Sequence, residues 1–199
     1  AGGAILDDIK IVAVVAFAQT PSYRRYEDSE PSLVMEVVNA ILRETGIDRQ
    51  RIDFTNAASC DYLSGSPFCF IANVDGYGAW PPVYESHVEM DGAWALFEAW
   101  VRLLVGDIDI ALVVASGKSS AGVPREIFAL QTDPYVNAPL GLDPVSVAGL
   151  QARALLDAGQ ASERDFAQVV SRSRRDGLSN PYAQVAKDVS VDALLEEPY

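Results

Sequence analysis

The chain reads as an α/β protein: a mixed, mainly parallel sheet covered by helices on both faces, followed by a helical loop region. Two observations predict this. β-branched apolar runs alternate with amphipathic segments that carry helix start and stop signals, up to about Ser116. Strands that alternate with helices pair in parallel through helical crossovers, which cover both faces of the sheet. Composition agrees, since 49% of the 199 residues are hydrophobic, enough for a sizeable core.

Each element has its own signal. Ile9 to Phe17 is β-branched and apolar and reads as a buried strand. Ser29-Glu30-Pro31-Ser32 opens a helix with proline in its first turn, Leu33, Val37, Ala40 and Ile41 line its apolar face, and Gly46 ends it. Ile52 to Ala57 is a second strand. Pro67 to Val74 is a short helix, and Asp75 to Pro82 is rich in turn formers. Tyr84 to Met90 is a third strand and runs into a helix from Asp91 to Val105. Ala93, Phe97, Trp100, Val101 and Leu104 lie on one side of that helix, which the apolar content predicts to be among the most buried, and Gly106 is its C-cap signal. Ile108 to Ser116 is the fourth strand. After Lys118 the texture changes, so residues 1–118 form the α/β core and 119–199 a loop region. That region holds short or capped helices at Arg125 to Leu130, from Asp143-Pro144 to Ala158 and from Ser162 to Arg175, and an ordered stretch at Val189 to Leu195.

Charge and cysteine usage bound the function. A formal net charge of -13 repels nucleic acid and anionic membrane. The two cysteines, Cys60 and Cys69, cannot frame a fold and indicate a reducing compartment. The longest apolar run, Ile11 to Ala18, is far short of a membrane span, and Asp7 and Asp8 before it do not suit a signal peptide. A soluble cytoplasmic protein is expected.

The candidate chemistry centres on Ser86 to Trp100, a strand entering a helix with two carboxylates at the junction. A helix N-terminus presents free N–H groups and partial positive charge there. Asp91 stands at the N-cap position, where Asp is favoured for structure alone. Glu89 lies in an apolar strand, where burial raises a carboxyl pKa and a helix dipole lowers it, a balance suited to a general base or to a buried hydrogen-bonded Glu. His87 shares a strand face with Glu85 and Glu89 and is either a packed core residue or an acid–base group. It has no ligand-spaced partners for a metal, and no nucleophile-elbow motif accompanies it. Cys60 follows a strand with no nearby base in sequence and reads as a structural thiol. Gly117-Lys118-Ser119 lacks the earlier glycine of a phosphate loop, since Leu112 occupies that place. Arg172, Arg174 and Arg175 form either a solvated helix face or a site for a phosphate-bearing ligand such as coenzyme A. Asn180-Pro181-Tyr182-Ala183 reads as a turn, with Tyr182 as a polar handle.

Ser86 to Trp100, Gly106-Asp107-Ile108-Asp109, Gly117-Lys118-Ser119-Ser120, Arg172 to Asp176 and Asn180-Pro181-Tyr182-Ala183-Gln184, in that order and spacing, resemble the thiolase superfamily. The resemblance runs from about Ile11 to Pro198 and is closest to actinobacterial lipid-transfer proteins and sterol-carrier-type thiolases. It implies the N-terminal half of a thiolase-like fold, an acyl-CoA substrate, and Tyr182, Arg175 and Ser119 as substrate-binding positions. Two departures qualify it. Aligned on Gly92, the acyl-accepting cysteine position of degradative thiolases is Glu89, with Asp91 where a small polar residue usually stands. The C-terminal half with its His and Cys motifs has no counterpart, so the chain is either a fragment or is completed by another polypeptide.

Without the acyl-accepting cysteine, thiolytic cleavage loses its covalent intermediate. Retro-aldol cleavage of a 3-hydroxyacyl-CoA needs only a base and donors for an enolate. The resemblance therefore implies a lyase on lipid- or steroid-derived acyl-CoA, with Glu89 or Asp91 as base and His87 and Tyr182 as weaker candidates. It further implies a homodimer, and a second polypeptide supplying the C-terminal half or an OB-fold partner. The other reading is a non-catalytic thiolase-like subunit that binds acyl-CoA or scaffolds a partner.

Overall fold

A computed structural model describes residues 11–79, 84–89, 92–119 and 122–197. The chain divides into two compact units, with the main division between Gly122 and Val123 and with Pro21–Arg24 grouped with the second unit.

The first unit is built on a parallel sheet of three strands, β1 (Phe54–Ser59), β2 (Tyr84–Glu89) and β3 (Ala111–Ala115), in the order β2-β1-β3. β1 is central and buried at all six positions. Its side chains alternate between two helical layers, as strand geometry requires. Ala57 joins Leu112 and Val114 of β3 and Val34 and Val38 of helix α1 (Glu30–Thr45) in one core, which also takes in Tyr77 of α3 (Cys69–Tyr77). On the opposite face Phe54 packs with Ala99 of α4 (Gly92–Leu104) and with Ile108. The expected covering of both faces by helices holds for this sheet. α1 starts after Ser29 with Pro31 in its first turn and ends at Gly46, whose φ of 64° suits a residue without a Cβ. A one-turn helix, α2 (Asp61–Ser64), links β1 toward α3.

Two expectations are corrected here. Residues 11–17 do not form a buried strand. They have no regular secondary structure, and Ile11 is 98% and Phe17 72% exposed. β propensity describes fitness for a pleated, half-buried surface, and this run has none to pack on among the described residues.

Helix α4 is not buried on its aromatic side. It meets the sheet through Ala95 and Ala99, while Trp94, Phe97 and Trp100 face outward and pack against one another with ring centroids 5.4 and 5.7 Å apart. Its sequence is apolar nearly all round, so the small side chains, which allow the closest approach, select the packed face. Gly92 belongs to that approach, because a Cβ there would lie 3.1 Å from the Ala115 Cβ. Polar anchors fix the same face. Asn56 Nδ2, on β1, donates to the Ala95 carbonyl at 2.9 Å and to Glu98 Oε2 at 3.0 Å. Glu98 also accepts from Ser86 of β2 at 3.0 Å and from Arg102.

The second unit is helical: α5 (Pro124–Leu130), α6 (Pro144–Asp157), α7 (Glu163–Asp176) and α8 (Val191–Glu196). Asp143 caps α6 by accepting from the N–H groups of Val145 and Ser146, and its carboxylate also takes Arg125. Ser162 and Asp165 form a capping box on α7. Arg164 and Asp192 join α7 to α8 at 2.9 Å. No helix among the described residues is long and apolar enough to cross a membrane.

Candidate functional site at the carboxyl edge of the sheet

In parallel α/β sheets, ligands bind outside the carboxyl ends of the strands. Here that edge carries a connected set of polar side chains. His87 pairs in register with Ala57, yet its Nε2 reaches diagonally to Ser59 Oγ, 2.9 Å away. Ser59 is 3% exposed and also accepts from Cys69 Sγ at 3.2 Å. The His87 ring stacks on Phe70 with a centroid distance of 4.2 Å and an interplanar angle of 16°. Burial pushes the Cys69 thiol pKa up, so it is a thiol rather than a nucleophilic thiolate at neutral pH.

Asp61 organises the entry to α3. Its carboxylate accepts the N–H groups of Phe68 at 2.6 Å and Cys69 at 2.9 Å. These bonds, and first of all the Cys69 side chain, hold the Asp61 pKa below the ordinary carboxylate value. Glu89 Oε1 in turn accepts the Asp61 N–H at 2.9 Å. Glu89 is exposed, on a strand that lies at the edge of the sheet among the described residues, so the desolvated setting expected for it is absent.

A second cluster adjoins β3. Glu30 Oε1 accepts from Ser116 Oγ at 2.9 Å and from Asn73 Nδ2 at 3.1 Å, and Glu30 Oε2 accepts from Ser64 Oγ at 3.0 Å. Asn73 is 1% exposed, and its Oδ1 is buried without a partner.

Of the candidates read from the sequence, His87 and Glu89 stand on this edge. Asp91 lies outside the described residues. Ser119 sits in the turn after β3, where its carbonyl accepts the Gly122 N–H at 3.2 Å. Tyr182 and Arg175 belong to the second unit and are exposed, Tyr182 in a turn closed by its N–H on Asn180 Oδ1. Ser59, Asp61, Cys69, Glu30, Asn73 and Ser116 were not singled out by sequence reasoning. Their one local signal is position, since Ser59 ends a strand and Glu30 opens a helix after Ser29.

Chemically, the edge offers an imidazole and an exposed carboxylate side by side, and no thiolate. Among the described residues no group of three or more His, Cys, Asp or Glu could hold a metal ion. An open pocket of about 590 Å³ lies at the other end of the sheet, lined by Asp53, Tyr84, Asp107 and Asp109 among others. Its acids are occupied in part: Asp53 Oδ2 accepts the N–H groups of Asp109 and Ile110, and Asp107 pairs with Arg102. No protein-family model and no curated protein matches the chain.

Proposed function

We propose that the chain is the N-terminal half of a cytoplasmic thiolase-fold lyase that cleaves lipid- or steroid-derived 3-hydroxyacyl-CoA thioesters in the retro-aldol sense. The observation that carries this reading is the placing of His87 and Glu89 two positions apart on β2, at the carboxyl edge of a parallel sheet whose two cysteines are both buried and lie off the β2–α4 junction. Glu89 takes the hydroxyl proton of the substrate. The bond between the second and third acyl carbons breaks, the third carbon leaves as a carbonyl product, and the electron pair passes into the thioester enolate. A proton delivered to the second carbon then gives the shortened acyl-CoA. Coenzyme A is part of the substrate, and Ser119 is the proposed substrate-binding position on the first unit. Among the described residues the outer edge of β2 has no strand partner, which supports a homodimer with this strand at the two-fold axis. A C-terminal thiolase half or an OB-fold partner would complete the enzyme.

One observation favours a second reading, a non-catalytic subunit that scaffolds a partner. The outward Trp94, Phe97 and Trp100 of α4 form an exposed apolar patch of the kind that marks interaction sites. Product analysis separates the two. The native assembly, its composition fixed by mass spectrometry, is given a 3-hydroxyacyl-CoA without free coenzyme A. The lyase reading expects an aldehyde or ketone and a shorter acyl-CoA. Binding of the thioester without either product favours the subunit.

A further inference from the structure

We propose that Ser59 donates its hydroxyl proton to Nε2 of His87 and receives one from the Cys69 thiol, so that the neutral imidazole carries its proton on Nδ1 and meets the substrate as a hydrogen-bond donor. The role toward substrate rests on the lyase reading above; the proton arrangement does not.

The arrangement follows from donor and acceptor accounting. Ser59 is buried, has one proton to give, and meets two side chains, the Cys69 sulfur at 3.2 Å and the His87 nitrogen at 2.9 Å. A thiol sulfur is a weak acceptor and a neutral imidazole nitrogen a strong one. Burial keeps Cys69 protonated, so it can supply a donor to Ser59. The thiol lies 3.2 Å from Ser59 Oγ and also interacts with the Asp61 carboxylate, which leaves the Ser59 proton only sulfur or Nε2 to face. The Ser59 proton then goes to Nε2. In the reverse arrangement His87 would donate, and the Ser59 proton would face only sulfur. A buried polar group left so poorly paired is costly. Stacking on Phe70 fixes the ring, and among the described residues Nδ1 has no partner.

The tautomer divides the labour at this edge. With Nε2 engaged, His87 is no base. Its Nδ1–H is a preorganised donor for the thioester oxygen, where enolate charge develops. Glu89 is left as the base, and Ser59 and Cys69 are positioning residues.

His87 is the only histidine in the chain, so its ring nitrogens can be read without assignment ambiguity. The test is a long-range ¹H–¹⁵N correlation spectrum of the full chain labelled on histidine, recorded where the imidazole is neutral. The parent and Cys69→Ser should show the Nδ1–H pattern. Cys69→Ala leaves Nε2 as the only side-chain acceptor for the Ser59 proton and should keep the Nδ1–H pattern, whereas Ser59→Ala removes the donor to Nε2 and should shift the ring toward Nε2–H. If Ser59→Ala does not fold, the parent spectrum carries the test, since an Nε2–H ring there contradicts the assignment. An Nε2–H parent, or an Nδ1–H ring unchanged in Ser59→Ala, would overturn the proposal. The expected tautomers in a native assembly that turns over no acyl-CoA would support the relay and overturn the lyase reading alone.

Discussion

Asp61 accepts the backbone N–H of Phe68 at 2.6 Å, and Phe68 is the one non-glycine residue with a positive φ, 55°, among the described residues. A left-handed conformation is strained for a bulky residue and persists where surrounding bonds enforce it. Asp61 supplies that enforcement and caps α3 through Cys69 in the same step. Asp61→Ala should therefore lower Tm and loosen the Cys69 end of α3, and Asp61→Asn, which keeps one acceptor, should do so less. Because the folded pKa is depressed, this contribution is present above the unfolded carboxylate value of about 3.9 and is lost as pH falls through the lower folded value. Thermal melts from pH 7 down to pH 3 check both points. A Tm difference between parent and Asp61→Ala that persists undiminished at the acid end would contradict the capping role.

The small face of α4 sets how closely it lies on the sheet. Ala99 is buried against Phe54, so Ala99→Leu overpacks the layer and should cost about 1–3 kcal/mol in urea unfolding. Trp100→Ala, on the exposed side, should stay within about 0.5 kcal/mol while reducing the binding of an apolar dye. The opposite ranking would mean that the aromatic side is the packed one.

Glu98 ties three elements together. It accepts from Asn56 on β1 and from Ser86 on β2 and pairs with Arg102 on its own helix. Glu98→Ala removes one partner of the fully buried Asn56, whose Oδ1 already lacks one, and should cost about 1–3 kcal/mol. Asn56→Ala in the Glu98→Ala background should cost less than it does alone, because the two share a bond. A double-mutant cycle by chemical denaturation measures the coupling, and additive losses would remove the bond from the account.

Neither cysteine should behave as a nucleophile. Both are buried, and burial holds the Cys69 thiol above its usual range. Iodoacetamide at pH 7 should leave both largely unmodified in the folded chain and label both in urea. Rapid native labelling of Cys69 would reopen thiol chemistry at this edge.

The local rules of the sequence carried well where a signal and its consequence are neighbours. Ser29, Pro31 and Gly46 bound α1, Asp143 and Pro144 open α6, and Ser162 with Asp165 boxes α7, each within a few residues of its cap. Alternation of strands and helices led to the parallel sheet. Choices set by partners did not carry. The pattern at 11–17 is that of a strand, but a strand needs a neighbour that local sequence does not name. An all-round apolar helix has no intrinsic inner face, and the sheet's preference for Ala95 and Ala99 over the aromatics is a property of their meeting. The cluster at the sheet edge was equally hidden. Glu30 and Ser116 are 86 positions apart, and Ser59 and His87 28, so only the fold makes them neighbours.

The most direct test of the central claim, that the β2 edge works on acyl-CoA through a carboxylate base, is the cleavage rate of a 3-hydroxyacyl-CoA by the native assembly with Glu89→Gln. Loss of a general base predicts a fall in kcat by a factor of ~10² to 10⁴ with fold and thioester binding retained. Asp91→Asn, which still suits a helix N-cap, should cost less. Undiminished cleavage by Glu89→Gln would contradict the claim.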